Sequence, residues 1–347
     1  MQFHLPTYAH VTLPHLVKLA KEGEAKGVSQ LWVTDNLRSR QSFVVLTAMA
    51  YNLNIKLGTA VNIQYFRNPV DLADSAATLS EVMDGRELVI GLGRGNPRTP
   101  RLVRTPRPVS ILRETAQSLR RLLDGEGVCF ADYPGLLDYY HFNPDATFEL
   151  NFRAATPISI YSGSNGPKGL AVSAACMDGL IFGGHYLAAL RTGRVPEILE
   201  MFDRSVPAGK DPASVPKVAE IKISLSHDRD RARDFVKENT GNRILAMYRQ
   251  GFTHEDIESL GVAIPDVERL DEVEKKRAGP HEFRAMVTDS MVDAMFIAGT
   301  PGECLERMLE VRDTAHQQGF RQLMFSELGP DVDEAVSLLC DQIVPNL

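Results

Sequence analysis

The chain has 347 residues, 44% hydrophobic and 24% charged, with 45 acidic against 38 basic side chains. That balance, a formal net charge of -7 and a pI near 5.8, excludes a general electrostatic footprint for nucleic acid or an anionic membrane. No apolar run reaches the roughly 18 residues that a bilayer span needs, and "MQFHLPTYAH" lacks the basic and apolar regions of a signal peptide, so a cytoplasmic protein is expected. Cys129, Cys176, Cys304 and Cys340 form no C-x-x-C pair and the nine histidines no H-x-x-E-H pattern, so neither a zinc site nor a disulfide framework is expected.

Short runs rich in β-branched residues alternate with longer segments of helical period, the pattern of parallel strands with crossover helices. "QFHL" reads as a first strand. "LPHLVKLAKEGEAKG" places Leu13, Leu16, Val17 and Ala20 on one helix face and stops at Gly27. "SQLWVTD" is strand two and "FVVLTAMAYNL" its helix; "IKLGTAVNI" is strand three, followed by "NPVDLADSAATLSEVMDG", with Pro69 in the first turn and Gly85 at the exit. "ELVIGLG" is strand four. Residues 98–155 break the alternation and read as an insertion carrying one clear helix, "VSILRETAQSLRRLLDG". Strand five is "TPISIYSG", its helix "PKGLAVSAACM"; strand six is "DGLIFGG", with a helix over 187–204; strand seven is "KVAEIKISLS". A second irregular insertion covers 240–287, where the run "ERLDEVEKKRAGPHE" reads as a solvated helical face. In "FIAGTPGECLERMLEVRDTAHQQGFRQLMFSEL", Thr300, Pro301 and Glu303 mark a capping box and "RQLMFSEL" is the last strand. Eight strands, each with a helix, favour a single α/β domain over 1–347, a (β/α)8 TIM barrel with two insertions.

The glycines of strand four pose the functional question. A dinucleotide fingerprint needs G-x-G-x-x-G opening directly into a helix. Gly91, Gly93 and Gly95 are spaced G-x-G-x-G, and Pro97 and Pro100 follow, which disfavours an immediate regular helix. What remains is a strand end short of side chains, where a flat ligand can lie against the backbone at the catalytic mouth of a barrel. Other strand ends share this character: Asp35 and Asn36 end strand two, and small residues end strand three. Strand five ends in Ser162, Gly163, Ser164, Asn165 and Gly166 before a helix whose first turn holds Pro167 and Lys168, a loop with backbone N–H groups, hydroxyls and a cation suited to a phosphate. Arg94, Arg98, Arg101, Arg104 and Arg107 cluster after strand four, where the guanidinium fork fits carboxylate or phosphate oxygens.

The stretch "WVTDNLRSRQSFVVLTAMAYNLNIKLGTAVNIQYFRNPVDLADSAATLSEVMDGRELVIGLGRGN", with "SGSNGPKGLAVSAACMDGLIFGG" and "FIAGTPGECLERMLEV", resembles the bacterial luciferase-like superfamily of flavin and deazaflavin enzymes. Within it the first stretch is similar to the branch containing methylenetetrahydromethanopterin reductase, which uses coenzyme F420. The resemblance spans nearly the whole chain apart from the two insertions. It implies that the cofactor ring rests on a bulge in strand three with a non-prolyl cis peptide between Ala60 and Val61, next to Asn62. It also implies that Asp35 contacts the cofactor, that Gly93, Arg94, Gly95 and Asn96 border the ring and tail, that Ser164 to Gly166 sit near the phosphate, where the loop reading also places Gly163 and Lys168, and that Gly183 and Gly184 line the same channel. Homodimers are common in that superfamily and are the assembly it implies.

The sequence departs from that pattern where protons are handled. Asn36 stands where relatives usually carry histidine and Asn96 where reductases carry an acid; asparagine can hold a carbonyl or imine but is no ordinary general acid. Tyr65 matches a tyrosine of the resembled stretch, and His4 and His185 lie near predicted strand ends, so these join Asn36 and Asn96 as catalytic candidates. The expected function is an F420-dependent oxidoreductase moving a hydride between the deazaflavin C5 and a C=N or activated C=C bond of a small organic substrate. Alternatives are an FMN-dependent monooxygenase using reduced flavin and O2, and a non-catalytic cofactor-binding barrel subunit. FMN carries only one phosphate, so the arginine cluster favours the more anionic F420.

Overall fold

The structure is a computed structural model and describes residues 2–4, 10–35, 37, 40–95, 99–249, 252–277 and 279–347, with the side chains of His4 and Arg101 outside the description. Eight strands carry the (β/α)8 barrel: β1 Gln2–His4, β2 Gln30–Val33, β3 Lys56–Ile63, β4 Leu88–Gly93, β5 Ile158–Ser162, β6 Gly179–Phe182, β7 Lys217–Leu225 and β8 Gln322–Ser326. Each is followed by at least one helix. These are the eight strands expected from the alternation. Among the described residues no helix is long and apolar enough to cross a membrane, and no group of three or more His, Cys, Asp or Glu could hold a metal ion. None of the four cysteines is in a disulfide.

The chain divides into two compact units, residues 1–182 with 198–218 and residues 183–197 with 219–347. In the first, β1 to β6 lie in chain order as parallel neighbours. All residues of β2 and β4 are buried, the continuous apolar reading expected of strands covered on both faces. Three polar side chains in this core form a chain of hydrogen bonds: Trp32 Nε1 donates to Gln2 Oε1 at 2.8 Å and Gln2 Nε2 to Gln30 Oε1 at 2.8 Å. The helix Leu13–Ala25 buries Leu16, Leu19, Ala20 and Gly23, a stripe rotated from the expected Leu13, Leu16, Val17, Ala20. The reason is Phe3 of β1: a β-carbon on Gly23 would stand 2.7 Å from its ring, so the helix packs on its glycine. The described part of the first insertion, residues 99–155, forms the helices Thr99–Leu102, Pro108–Leu123 and Pro134–Tyr140 and an antiparallel pair of short strands, Val128–Cys129 with Thr147–Phe148. The helix expected over 187–204 is two, Tyr186–Arg191 and Val195–Asp203, because Gly193 at φ +66° ends the first in the left-handed conformation.

In the second unit β7 lies beside β8 and also beside a short parallel strand, Ile297–Gly299, that the sequence reading did not separate from the helix after it. The described residues of 240–287 are mostly helical, not irregular as expected. The helix Arg229–Arg249 runs into them, and His254–Glu258, Ile264–Lys275 and Pro280–Ala285 follow. Ile244, Leu245, Val267, Leu270, Phe283 and Met291 share one apolar cluster. The charged run is the solvated face expected, except that Asp271 is buried and accepts Arg249 Nε at 2.8 Å. The capping box is present at the helix Pro301–Gln317, where Glu303 Oε2 accepts the Thr300 N–H at 2.9 Å and its hydroxyl at 2.8 Å. Replacing Glu303 by Ala is expected to lower stability by about 1 kcal/mol in urea denaturation, with Glu303→Gln intermediate.

Candidate active site

The site in the first unit is built around a fault in β3. Leu57, Gly58 and Thr59 pair with Leu88, Val89 and Ile90, and pairing resumes with Asn62 opposite Leu92. Three steps on β3 match two on β4, so one extra residue forms a β-bulge at Ala60–Val61, whose peptide is cis at the position the resemblance implied. Residues at the end of β2 take up both bulge carbonyls: the Thr34 hydroxyl donates to Ala60 O at 3.1 Å and the Asp35 N–H to Val61 O at 3.4 Å. Thr59, Asn62 and Ile63 are buried while Ala60 and Val61 are half-buried, so the bulge is the accessible step of an otherwise covered strand.

The glycines answer to this bulge. A β-carbon on Gly91 would lie 2.2 Å from Thr59 O, one on Gly93 2.7 Å from Val61 Cγ2, and one on Gly163 2.9 Å from Val61 Cγ1. Space that the sequence reading left to a ligand is thus used first by the Val61 side chain, and the surface offered outward is Ala60–Val61 itself. Gly95, at φ +84°, has Thr99 Oγ1 2.3 Å from a would-be β-carbon, a second place where only glycine fits.

Beneath the bulge lies a polar support. Asp35 and Asn62 are both 0% exposed. Arg67 donates to Asp35 through Nε at 2.9 Å and Nη2 at 3.3 Å, while Asn62 Nδ2 donates to Asp35 Oδ2 and to Ser42 Oγ, each at 3.3 Å. The bond to Asp35 holds the Arg67 guanidinium above its ordinary pKa, more than offsetting burial. Asp35 and Asn62 therefore reach the accessible surface only through the backbone they hold. Tyr65 is also covered: its hydroxyl donates to Pro106 O at 2.9 Å, and burial, with Tyr139 beside it, pushes its pKa up to about 12. The hydroxyls of Tyr139 and Tyr140 donate to Tyr65 O at 3.2 Å and Gln64 O at 2.5 Å, so the helix Pro134–Tyr140 is strapped to the end of β3.

After β5 the Gly163 N–H donates to Leu92 O at 2.8 Å and the Ser164 N–H to Ser162 Oγ at 3.2 Å. Gly163, Ser164 and Asn165 are half-buried; Gly166 and Lys168 are exposed. Gly166 caps the helix Pro167–Cys176 without any side-chain hydrogen bond, leaving first-turn N–H groups and a lysine for an anion. Arg94, Gly95, Arg104 and Arg107 are exposed, Arg107 beside Asp138 at 2.8 Å. Asn36, Asn96 and Arg98 lie outside the described residues, as do the side chains of Arg101 and of His4, which ends β1. A cavity of about 440 Å³ lined by Arg120, Asp124 and Ile158 opens at the N-terminal end of β5, the opposite end of that strand from this loop.

The second unit holds its own polar group, and sequence reasoning missed most of it. After β6, the Gly184 N–H donates to Glu220 Oε2 at 2.7 Å while its carbonyl accepts Arg243 Nη1 at 2.9 Å. Lys222 Nζ donates to Glu220 Oε1 at 3.0 Å and Glu327 Oε1 at 3.1 Å; Asn239 Nδ2 donates to Glu327 Oε1 at 2.8 Å; Arg243 Nε donates to Asn239 Oδ1 at 2.6 Å. The six residues close a circuit. Burial would raise both carboxylates, but Lys222 and Arg243 outweigh it and hold Glu220 and Glu327 below the usual range. A β-carbon on Gly183 would meet Glu220 Oε2 at 2.8 Å and one on Gly184, at φ +38°, Arg243 Nη1 at 2.5 Å. The available signal was Glu220 and Lys222, two charges two residues apart inside the apolar run of strand seven.

The family described as luciferase-like monooxygenase matches residues 1–318. The chain belongs to that family. This luciferase-like chain is 28% identical over 351 residues to the 5,10-methylenetetrahydromethanopterin reductase of Archaeoglobus fulgidus, covering 99% of this chain and 98% of that one. It is 26% identical to the F420-dependent glucose-6-phosphate dehydrogenase of Nakamurella multipartita, covering 96% and 92%. The solved coenzyme F420 dependent tetrahydromethanopterin reductase of Methanopyrus kandleri shares the fold at a TM-score of 0.76, with 21% identity and 99% and 98% of the two chains covered.

In this luciferase-like barrel, Gly91→Ala is expected to destabilise by about 3 kcal/mol or to prevent soluble expression, because the clash is with backbone. Gly166→Ala, with nothing within 4 Å of the added carbon, should stay within about 0.5 kcal/mol of the parent. Equal losses in urea denaturation would count against the cradle.

Proposed function

We propose that this luciferase-like protein is an F420-dependent oxidoreductase that moves a hydride between the deazaflavin C5 and a C=N or activated C=C bond of a small organic substrate. The observation that carries this reading is the half-buried Ala60–Val61 step, walled by glycines that admit no side chain. A planar ring fits such a step, and the uncapped helix start at Gly166 with Lys168 fits its phosphate. The F420-dependent relative from Nakamurella multipartita supports the same cofactor. When bound, the coenzyme supplies the redox chemistry.

The chain's own residues have binding and positioning tasks in this reading. Ala60 and Val61 back the ring, with Asp35, Asn62 and Arg67 fixing the bulge from below. The first-turn N–H groups that follow Pro167 and the Lys168 ammonium hold the phosphate, and Gly93 and Gly95 border the ring. Arg94 and Arg104, both exposed, meet the carboxylates of the longer tail, which FMN lacks. Positioning of this kind lowers the barrier by fixing reacting groups before chemistry.

Adding F420 and FMN separately to the purified protein tests the assignment through coenzyme fluorescence and thermal shift. F420 is expected to bind and raise the melting temperature, with little response to FMN; Lys168→Ala should weaken F420 binding roughly tenfold, about 1.4 kcal/mol. Micromolar FMN binding with no response to F420 would replace this reading by the flavin monooxygenase one.

A further inference from the structure

The turn that follows β3 is held by the first insertion. It closes through the Phe66 N–H, which donates to Ile63 O at 2.8 Å, and the Arg67 N–H, which donates to the same oxygen at 3.3 Å. The carbonyls of Gln64 and Tyr65 stand between these ends, where a turn supplies them no donor of its own. Two successive tyrosines at the end of the helix Pro134–Tyr140 take them in antiparallel order: the Tyr139 hydroxyl donates to Tyr65 O at 3.2 Å and the Tyr140 hydroxyl to Gln64 O at 2.5 Å. Tyr65 returns the grip. Its hydroxyl donates to Pro106 O at 2.9 Å, and its ring meets that of Tyr139 edge-on with centroids 5.3 Å apart. The other end of the helix is fixed as well: the buried Glu114 accepts the Leu136 N–H at 3.0 Å, and a β-carbon on Gly135 would stand 2.8 Å from the same oxygen. The Gln64 side chain adds no hydrogen bond; it is 0% exposed and neither end of its amide has a partner. An enclosed unpaired amide opposes folding, so the turn keeps its shape through the main chain that the tyrosines hold.

The same turn carries Arg67. Its guanidinium donates to Asp35 at 2.9 and 3.3 Å, and the Asp35 N–H donates to Val61 O at 3.4 Å. Hydrogen bonds joined by short main-chain links thus lead from the helix Pro134–Tyr140, through residues 64–67, to a carbonyl of the accessible step. We propose that Tyr139 and Tyr140 are positioning residues of the cofactor step, and that ring binding at Ala60–Val61 and docking of the helix Pro134–Tyr140 stabilise one another. This rests on the oxidoreductase reading for the identity of the ring, but on the relay alone for the coupling. Neither tyrosine acts on the ring directly; each acts through the main chain of residues 64 and 65, then Arg67 and Asp35. A bulge has fewer ladder bonds than a regular strand, so its geometry is set by what clasps its ends. The end of β2 clasps it through Thr34 and Asp35, and the insertion clasps the turn beyond it. A ring that needs the step in one geometry binds more tightly when the second clasp is closed, and by reciprocity it favours closure.

Hydrogen exchange read by mass spectrometry on the whole protein without coenzyme tests the relay. Tyr139→Phe combined with Tyr140→Phe removes both hydroxyls and keeps both rings. Exchange should quicken roughly tenfold in peptides containing Asp35 and residues 61–67, while the helix Leu13–Ala25 keeps its wild-type rate. Asp138→Asn, which loosens an exposed ion pair with Arg107 on the same helix, should leave all these rates unchanged. Faster exchange confined to residues 134–141 overturns the proposal, because the hydroxyls would then hold only their own helix. Should the double variant fail to fold, Tyr140→Phe alone is read by the same criterion. Adding F420 gives the second readout: in the wild type it should slow exchange across Pro134–Tyr140, and the variant should bind it roughly tenfold more weakly. Equal affinity in the two proteins overturns the coupling. If F420 binds neither protein, the cofactor reading fails, and the exchange measured without coenzyme still decides the relay.

Discussion

The first unit's site depends on one steric constraint: Val61 has to occupy the volume that Gly93 and Gly163 leave free, next to a Gly91 pressed against the Thr59 carbonyl. No rotamer change relieves an intruding β-carbon there, because at Gly91 the opposing atom is main chain. Once Val61 is seated, the bulge can turn Ala60–Val61 outward while both flanks stay covered. Its displaced carbonyls must then find donors, and the end of β2 supplies them from Thr34 and Asp35. Buried backbone groups that lose ladder partners have to be paired elsewhere, so the bulge and the end of β2 are two parts of one arrangement.

The charge beneath the bulge is consistent with an uncharged surface above it. Asp35 is fully covered and accepts from both Arg67 and Asn62, which keeps its carboxylate in bidentate geometry with a guanidinium. The accessible step is then an alanine, a valine and backbone, an uncharged surface. The second unit solves a related problem with the opposite chemistry. Gly183 and Gly184 yield their side-chain space to Glu220 and Arg243. Two carboxylates, a lysine and an arginine cancel in formal charge, and each hydrogen bond is supported by the next. A closed set of this kind is rigid when complete and expensive to break.

Local signals carried most of the architecture. The eight strands follow from β-branched runs, the helix Pro301–Gln317 from its capping box, and the solvated face of Ile264–Lys275 from its charge pattern. The misreadings have packing causes. The helix Leu13–Ala25 turned toward Phe3 because Gly23 allows closer approach than Leu13 or Val17. Residues 240–287 looked irregular because their helices are short and charged, and only the shared cluster around Val267, Leu270 and Phe283 makes them stable. Ile297–Gly299 is three residues long and becomes a strand only through its pairing with β7. Among the site residues, the glycines and the loop after β5 were legible as places without side chains, while the commitment of Tyr65 to Pro106 and of Asp35 to Arg67 was not.

The sequence by itself determined the alternation of strands and helices, the glycine-rich and polar strand ends, and the resemblance that located the bulge. Those are properties of short windows, set by periodicity, turn chemistry and residue type. Tertiary structure decided who uses the space and the hydrogen bonds: that Val61 fills the glycine cradle, that Asp35 works from below, and that a lysine and a glutamate 105 positions apart share a proton-bearing contact around the peptide before His185. Such partners meet only because the chain returns β8 to the side of β7, and no local pattern encodes which distant charge will be waiting there.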